Sequence, residues 1–390
     1  MRILYHHRTQ AEDGQAVHIR ALQQAFREEG HEVREVALVA RAEREPAVAA
    51  AGGSGGASRW GLVTRLPRFA RELAEYGYTP FARPKLLAAG RDLHPDFLYE
   101  RYAFGNVAGV QAARRLGVPL VLEVNSPMVL ELENTRGLSF PRLARRLETH
   151  VFRSADLVCV VTGVLGEMLV EMGVRRERLL VTPNGVHLEL FAAPDRAAAR
   201  ADLGLGDAHA EDVVLGFVGY YRDWHRLDLV VEALAGAALA RARLVLIGEG
   251  PAHEDLVRAA QAAGVADRVH FAGPRPHARI PALLPAFDVA LVPAINPYAS
   301  PLKLFEYLAA GLAVVAPDQA NLREVLTHER NALLVAPGDG AALAAALARL
   351  AQQAETRRRL GAAARETIRE RDLTWRGNAR RVVAAVEARS

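Results

Sequence analysis

The sequence predicts an α/β protein with two doubly wound parallel sheets that face a common cleft. Its 390 residues exceed one typical hydrophobic core, and 51% of them are hydrophobic. Short apolar runs alternate with helical patterns along the chain, as in parallel sheets covered by helices. The two halves also begin alike, because residues 3–5 and 213–218 each lead through a polar, glycine-containing loop into a helical pattern. We therefore expect one doubly wound sheet in each half.

Each half contains six candidate strands. Apolar runs predict the first six at residues 3–5, 33–39, 97–99, 120–124, 157–161 and 179–182. They predict the second six at residues 213–218, 244–247, 269–272, 289–292, 313–316 and 333–335. Ligands of such sheets bind beyond the carboxyl ends of the strands, so the loops that follow the strands are the candidate site.

A changeover near residues 183–206, rich in Ala, Asp, Arg and Gly, is interpreted as the hinge between the domains. We place an N-terminal Rossmann-like domain at residues 1–190 and a C-terminal Rossmann-like domain at residues 191–371. The last segment, residues 372–390, has an amphipathic helical pattern. This helix is expected to pack back on the first domain.

Composition narrows the classes of partner. The formal charge is only +4, and neither a dense basic stripe nor a nucleic-acid-binding motif is present, so nucleic acid is not an expected partner.

The single cysteine, Cys159, lies in an apolar run and is interpreted as a buried structural thiol rather than a catalytic one. The N-terminus lacks the apolar region of a signal peptide, and no apolar run approaches the roughly 18 residues of a membrane span. These observations favour a cytoplasmic protein.

A basic amphipathic segment at residues 59–71 follows a glycine-rich stretch at residues 50–57. Arginines alternate there with tryptophan, leucine and phenylalanine. The pattern is typical of a helix with one solvated face. A second interpretation is peripheral contact with anionic lipid at the inner face of a membrane, or with a lipid-linked acceptor.

Residues 300–311 read as the start of a helix that binds an anion. Ser300 suits the N-cap, Pro301 suits the first helical position, and Gly311 can end the helix. Lys303 stands where a capping box would have Glu or Gln, although a cation there opposes the helix macrodipole by a few tenths to about 1 kcal/mol. Only two of the 49 basic residues are lysines, Lys85 and Lys303. Lys303 and the free N–H groups of the helix start together suit a phosphate, although an ordinary helix with a solvated lysine is the alternative.

Several short motifs resemble, in their order and spacing, those of glycosyltransferase family 4. They are Gly14 in the first loop, Pro-Asn-Gly-Val at 183–186, Gly-Glu-Gly-Pro at 248–251, Phe-Ala-Gly at 271–273, Pro293, and the helix start at 300–311. The resemblance runs through nearly the whole chain. It implies the GT-B fold and a retaining enzyme that moves a sugar from a nucleoside-diphosphate donor, with UDP or GDP as the expected nucleotide.

The resemblance also implies roles for individual residues. Glu306 matches the second glutamate of the family's E-x-x-x-x-x-x-x-E signature, which is expected to bind the ribose hydroxyls of the donor. Lys303 and the amide of Leu302 would face the diphosphate. Gly14 would let the backbone of the first domain approach the same diphosphate, because a Cβ there would intrude. Arg275 and its neighbours would lie along the base.

The chain departs from the family pattern in two places. After Gly219, where the family usually has an Arg and a Lys for the diphosphate, Arg222 is the expected cation and His225-Arg226 replaces the usual Lys-Gly. Whether His225 is charged, hydrogen-bonds a phosphate or only packs is left open. Tyr298 stands eight residues before Glu306, where the signature has its first glutamate. Either a backbone group within residues 296–300 takes over that sugar contact, or this branch lacks it.

The expected mechanism uses neither a metal nor a cofactor. Arg222, Lys303 and the helix start would stabilise the leaving diphosphate, so we assign Arg222, Lys303 and Glu306 as catalytic. The acceptor would be a hydroxyl of a glycan, a glycolipid or a small molecule, as in polysaccharide or glycolipid assembly, and would bind the first domain. The candidates there are His18, in the first predicted helix, and Glu123 and Asn125, at the carboxyl end of the strand 120–124, although each is equally suited to bracing a loop.

Other classes of protein fit less well. An oxidoreductase would need Gly-x-Gly-x-x-Gly after the first strand, and residues 5–14 contain nothing of that form. The remaining alternative is a nucleotide-sugar-binding protein of another class on the same fold, either an epimerase or a non-catalytic partner. Only Tyr298 favours the non-catalytic alternative.

Overall fold

The computed structural model describes residues 1–9, 14–37, 67–206 and 209–389. The chain divides into two compact units. Unit 1 comprises Met1–Pro183 and Trp375–Ser390, and unit 2 comprises Asn184–Thr374. The chain thus passes between the units at residues 183–184 and 374–375, where the sequence analysis placed the changes at 190–191 and 371–372.

All twelve predicted strands form, each within a few residues of its expected bounds. In chain order β1 to β12 are Arg2–His7, Glu32–Ala37, Phe97–Arg101, Leu120–Val124, Leu157–Val160, Leu179–Val181, Val213–Val218, Ala242–Ile247, Val269–Gly273, Val289–Leu291, Ala313–Pro317 and Leu333–Val335. Strands β3, β4 and β5 are buried along their whole length. Because helices cover both faces of such strands, they read in the sequence as continuous apolar runs. Cys159 lies buried in β5, as predicted.

Sixteen α-helices lie in the described part of the chain. In chain order α1 to α16 are Gly14–Glu28, Arg68–Tyr76, Thr79–Leu93, Ala108–Leu116, Met128–Thr135, Pro141–Ser154, Gly163–Glu171, Arg196–Asp202, Leu227–Leu234, His253–Ala262, Ile280–Leu283, Leu302–Ala309, Ala320–Arg323, Gly340–Gln352, Ala354–Glu370 and Trp375–Glu387. None of the helices within these ranges combines the length and apolarity needed to cross a bilayer.

Each unit has one six-stranded parallel sheet, and each sheet has a topological switch point. The order in unit 1 is β2-β1-β3-β4-β5-β6, and the order in unit 2 is β12-β11-β10-β7-β8-β9. The chain of unit 2 runs outward from β7 on one side and then from β10 on the other. A crevice therefore forms beyond the carboxyl ends of β7 and β10, which is where doubly wound sheets bind ligands.

Apolar residues cover both faces of the unit 2 sheet. One face packs against α12, whose Phe305 and Tyr307 are fully buried. The opposite face carries Phe217 and Leu246 and packs against α14 through Leu347. The start of α12 is therefore held by core packing and does not depend on a capping side chain for its position.

Aromatic rings fill the core of unit 1 between neighbouring strands and the first helix. Tyr5 of β1 and Tyr99 of β3 are partners in the strand register, and their rings stack with centroids 4.9 Å apart. Phe26 of α1 meets Tyr99 edge-on at 5.7 Å. These contacts fix α1 against the sheet, and α1 carries one of the predicted site residues, His18.

The last helix belongs to the core of unit 1. Trp375 of α16 is buried, and its ring meets His18 of α1 edge-on with centroids 4.7 Å apart. The Asn378 side-chain amide donates a hydrogen bond to the carbonyl of Pro183 at 2.6 Å. Unit 1 is therefore completed by a segment nearly two hundred residues away from the rest of its chain.

Replacing Trp375 with alanine should destabilise unit 1 by about 3–5 kcal/mol, because a large buried side chain would be lost from the packing of α16 on α1. Urea unfolding followed by far-UV circular dichroism measures this loss. The control is the neighbouring Arg376→Ala, which removes a half-exposed ion pair with Glu29 and should cost at most about 1 kcal/mol. Equal losses for the two variants would show that α16 is not part of this core.

Candidate functional site

Helix α12 begins one residue later than its capping signals predict. Ser300 is not the N-cap, since Pro301 occupies that position with φ −78° and ψ 128° and no side chain caps the helix. The Ser300 hydroxyl instead accepts a hydrogen bond from the Asn184 N–H at 3.2 Å, and the Ser300 carbonyl accepts one from the Asn184 side-chain amide. Ser300 is thus unavailable as a cap because it anchors the start of unit 2.

The uncapped helix start leaves backbone donors for a ligand. The N–H of Leu304 is already bonded to the Pro301 carbonyl at 3.0 Å. The amides of Leu302 and Lys303 therefore remain as the donors of the first turn. At its other end the helix closes as predicted, because Gly311 follows it with φ 72°.

Lys303 lies at the switch point of unit 2. Its Nζ is 3.7 Å from the centroid of the Phe217 ring of β7. A Cβ added to Gly219, which follows β7 with φ 144°, would lie 2.8 Å from that Nζ. Burial lowers the pKa of Lys303 to about 7, although the nearby Glu306 carboxylate acts in the opposite direction. The site therefore places a poorly solvated amine beside free amides, which favours an anionic ligand.

Three loops after β7, β8 and β9 touch backbone to backbone beside Lys303. A Cβ on Gly248 would lie 2.0 Å from the Gly219 carbonyl oxygen. The N–H of Gly248 donates to the Gly273 carbonyl, and the N–H of Gly219 donates to the Ile247 carbonyl, both at 2.9 Å. This close approach accounts for the glycine at 248 in the Gly-Glu-Gly-Pro motif.

His225 is a neutral, buried member of the loop after β7. Its pKa is lowered to about 3, first by burial and then by the charges of Lys303 and Arg222. Its Nδ1 faces the backbone N–H of Arg222 at 3.3 Å and must accept that hydrogen. The ring proton therefore resides on Nε2. His225 is thus a hydrogen-bond donor at this loop and not a substitute cation.

Arg222 lies at the exposed surface of the same loop. Its guanidinium carbon is 5.0 Å from the centroid of the Tyr220 ring. It lines a cavity of about 310 Å³ together with Asp223, Arg226, Leu227, Asp228, Ala252, Asp255 and Leu256. The charges of both Arg222 and Lys303 lower the pKa of His225, so both cations lie near that ring. The diphosphate role of Arg222 stays a prediction.

Glu306 is buried one turn after Lys303 and has an unexpected partner. His277 Nε2 is 2.6 Å from Glu306 Oε1. His277 starts a three-residue helical turn, 277–279, after β9. Sequence reasoning missed this residue, because nothing in local spacing links two side chains 29 positions apart. Arg275, on the same loop, bonds only the adjacent Pro274 carbonyl at 3.3 Å among the contacts described for it.

The loop that contains Tyr298 is held at both of its ends. The buried Asn321 side-chain amide donates to the carbonyls of Asn296 at 3.1 Å and Ala299 at 2.7 Å. Asn184 holds Ser300, as described above. The backbone where the signature would have its first glutamate is therefore well fixed, which a backbone contact to the sugar would require.

The three predicted acceptor residues converge in unit 1. His18 Nε2 lies 3.2 Å from Glu123 Oε1, and the Asn125 side-chain amide donates to the same oxygen. Glu123 also accepts from the Tyr99 hydroxyl at 2.9 Å and from the Arg101 guanidinium. Burial alone would raise the pKa of Glu123, but His18 and Arg101 hold it well below the usual range. Glu123 is thus a permanent carboxylate that orients its neighbours.

A second buried polar group lies at the switch point of unit 1. His6 of β1 and Glu100 of β3 are fully buried, with His6 Nδ1 2.7 Å from Glu100 Oε2. Asn106 donates to the other Glu100 oxygen at 3.2 Å, and Tyr78 contacts His6 Nε2 at 3.0 Å. Sequence reasoning did not include His6 among the site residues. His6 and Glu100 are both hydrogen-bonded to neighbouring side chains, so we interpret them as residues that hold the loops there in place.

Two predictions concern parts of the chain beyond the described residues. Gly14 is the first residue of α1, and residues 10–13 before it are not described, so its diphosphate role stays a prediction. In the basic segment 59–71, residues 59–66 are likewise outside the described ranges. The remainder enters α2, where Phe69 and Leu73 are exposed by 53% and 51%. Membrane contact through this segment stays a prediction.

Replacing Lys303 with methionine should stabilise the nucleotide-free protein at pH 6, where the charged lysine is held in a poorly solvated position. The folded pKa of about 7 lies below the unfolded value of 10.5, so this gain should shrink as the pH rises from 7 toward 10.5. Urea unfolding at pH 6 and pH 9 measures the difference. Lys85→Met, at the exposed second lysine, is the matched control. The same pH response in both variants would contradict the burial of Lys303.

Comparisons with known proteins cover both units. A match to the family described as Glycosyltransferase Family 4 covers residues 13–190, and a match to Glycosyl transferases group 1 covers residues 212–353. A D-inositol 3-phosphate glycosyltransferase of Saccharomonospora viridis is 30% identical over 295 residues, which are 72% of this chain and 67% of the relative. One from Stackebrandtia nassauensis is 31% identical over 69% of this chain and 63% of the relative.

A 2-deoxystreptamine glucosyltransferase of Streptomyces kanamyceticus is 27% identical over 63% of this chain and 64% of the relative. The chain therefore spans just under two thirds of the length of several of these relatives.

Solved structures share the fold along the whole chain. Sucrose-phosphate synthase of Thermosynechococcus elongatus superposes with a TM-score of 0.76 at 21% identity, covering 100% of both chains. Anabaena Alr3699/HepE in complex with UDP superposes with a TM-score of 0.73 at 17% identity, also over 100% of both chains. At such identities the likeness concerns the fold alone. Together with the sequence matches, it shows that the chain belongs to glycosyltransferase family 4 and has the GT-B fold.

Proposed function

We propose that this protein transfers a sugar from a nucleoside-diphosphate sugar to a hydroxyl acceptor with retention of the anomeric configuration. The observation that carries the proposal is the position of Lys303, a desolvated amine beside free helix amides at the switch point of unit 2. The Anabaena Alr3699/HepE structures contain UDP and UDP-glucose. They favour a uridine nucleotide as the donor, with GDP as the second nucleotide to examine.

The leaving diphosphate would be stabilised without a metal. As the anomeric bond breaks, its electron pair passes to the oxygen of the terminal phosphate. Lys303, the amides of Leu302 and Lys303, and the Nε2–H of His225 would be the donors to this oxygen, and preorganised donors lower the barrier for developing negative charge. Arg222 would add a flexible cation from the surface of its loop. The acceptor proton would move to the leaving phosphate oxygen.

Glu306 would hold the ribose of the donor. Its Oε1 already accepts a hydrogen bond from His277, so Oε2 is the oxygen proposed for a ribose hydroxyl. The neighbouring loop of Gly273 and Arg275 would lie along the base. Buried carboxylates form strong hydrogen bonds to hydroxyl donors, and this contact would contribute affinity as well as orientation.

The acceptor would bind unit 1 near His18, Glu123 and Asn125. Glu123 is ionised, lies 3.2 Å from His18 Nε2 and accepts from the Asn125 amide, so the three side chains form one polar cluster that could orient an acceptor hydroxyl. The relatives are named for D-inositol 3-phosphate and 2-deoxystreptamine, which are hydroxylated small molecules. We therefore favour a small polyhydroxylated acceptor over a glycan or a glycolipid.

A non-catalytic sugar-nucleotide-binding role is the second candidate, and the replacement of the first signature glutamate by Tyr298 is the observation that favours it. Release of nucleoside diphosphate from a sugar donor, measured with a panel of acceptors, separates the two functions. Turnover would support the transferase, whereas donor binding without turnover on any acceptor would support the second candidate.

Binding of nucleoside diphosphates provides the first test of the donor site. Among UDP, GDP, dTDP and ADP, at least one should stabilise the protein, by about 2.7 kcal/mol at a ligand concentration one hundred times its Kd. Thermal unfolding measures this shift. Glu306→Ala should abolish it, whereas Glu254→Ala, at an exposed position of α10, should leave it unchanged. If no nucleoside diphosphate stabilises the wild-type protein, the donor-site proposal fails.

The role of Lys303 can be separated from recognition of the nucleoside. Lys303→Ala should weaken UDP binding by roughly 10- to 100-fold, as expected for a lost charge-assisted contact, and should weaken uridine binding by less than roughly 3-fold. Isothermal titration calorimetry with UDP and uridine measures the two effects. Lys85→Ala serves as the control for removal of a lysine. Equal losses for UDP and uridine would contradict a diphosphate contact.

A further inference from the structure

We propose that His277 is a positioning residue of the donor site, which holds the Glu306 carboxylate in one orientation and thereby determines how strongly the donor ribose is recognised. The inference rests on the proposed nucleotide site and extends it to a residue that no motif identified. It concerns the contact of 2.6 Å between His277 Nε2 and Glu306 Oε1.

The direction of this hydrogen bond follows from the chemistry of the two groups. An ionised carboxylate only accepts, so the proton must lie on His277 Nε2 whether or not the ring is charged. The bond occupies Oε1 and leaves Oε2 as the acceptor for a ligand. We place one ribose hydroxyl on Oε2, and this contact depends on the orientation that the His277 hydrogen bond gives to the carboxylate.

His277 contributes little to the packing of unit 2. Its side chain is 47% exposed, whereas that of Glu306 is 10% exposed. The turn that carries it has its own support, because the Arg279 N–H bonds the Pro276 carbonyl at 2.8 Å and the Arg279 side chain pairs with Asp202. The turn should therefore persist when the imidazole is removed. A half-exposed side chain that buries a hydrogen bond at a binding site is better explained by positioning than by stability.

The position of Lys303 explains why Glu306 needs to be held. The lysine precedes the glutamate by three residues on α12, so both side chains lie on the same side of the helix, and their charges interact. Without a second partner, the carboxylate could turn toward the ammonium group and neutralise the cation proposed for the diphosphate. The hydrogen bond from His277 opposes that movement, so it keeps Glu306 available for ribose and Lys303 for phosphate.

The experiment compares ribose recognition across a set of matched variants. Calorimetry gives the Kd of UDP, 2′-deoxy-UDP and 3′-deoxy-UDP for the wild type, His277→Gln, His277→Met and Arg279→Ala. If another nucleoside diphosphate stabilises the wild type better, its deoxy forms are used. Gln and Met have similar size, but only the Gln amide can donate a hydrogen bond to Oε1. Arg279→Ala alters the same turn without touching Glu306.

We expect the wild type to bind one deoxy nucleotide roughly 10-fold more weakly than the parent, as for a lost hydrogen bond to a charged group. Arg279→Ala and His277→Gln should retain that ratio. His277→Met should reduce it to less than roughly 3-fold, with an unchanged melting temperature for the free protein. A merely structural role of His277 would lower the affinity for all three nucleotides equally and would leave the ratio unchanged.

The outcomes separate this inference from the proposed function. An unchanged ratio in His277→Met, with normal UDP binding by the wild type, would overturn the positioning role and leave the donor site intact. A wild type that binds no nucleoside diphosphate would overturn the donor site itself. Loss of the ratio in His277→Gln as well as in His277→Met would also overturn the inference, because the donated hydrogen bond would then not be the cause.

Discussion

The amine of Lys303 is the constraint on which the site in unit 2 depends. It lies at the start of a helix, where the macrodipole disfavours a cation, and burial lowers its pKa to about 7. Gly219 beside it has φ 144°, a backbone conformation that favours glycine. These features destabilise the empty site and suit a ligand that brings negative charge, as stability is often exchanged for function at binding sites.

The polar groups of the two units are organised differently. In unit 1 the buried carboxyl groups of Glu123 and Glu100 each have several hydrogen-bond partners, as burial of a polar group requires. In unit 2 the N–H groups of the Lys303 amine and of the first amides of α12 remain available as donors to a ligand. Unit 1 therefore holds its polar groups in a hydrogen-bonded network, which we propose orients a hydroxylated acceptor. Unit 2 offers hydrogen-bond donors to an anion, which fits the proposed binding of the acceptor by unit 1 and of the donor by unit 2.

Much of the fold was predictable because parallel strands covered by helices on both faces read as continuous apolar runs, as in β3 to β5. The positions of Lys303 and Glu306 were predictable because both belong to one helix with local signals at its ends. The same local signals misplaced Ser300, since its hydroxyl is taken by Asn184, 116 positions away. A capping rule considers neighbours in sequence and does not take account of such a competitor.

Apolar periodicity and local helix signals were enough to predict the class of fold, the approximate positions of the twelve strands in the described ranges, and the helix that carries the candidate diphosphate and ribose residues. Contacts between distant side chains, such as His277 with Glu306 and Asn321 with the loop of Tyr298, became visible only in the folded chain. The fold also determines that His225 is neutral. The physical reason is that apolar periodicity is a local property of the chain. Hydrogen-bond partners and protonation states depend on burial and on groups that only folding brings together.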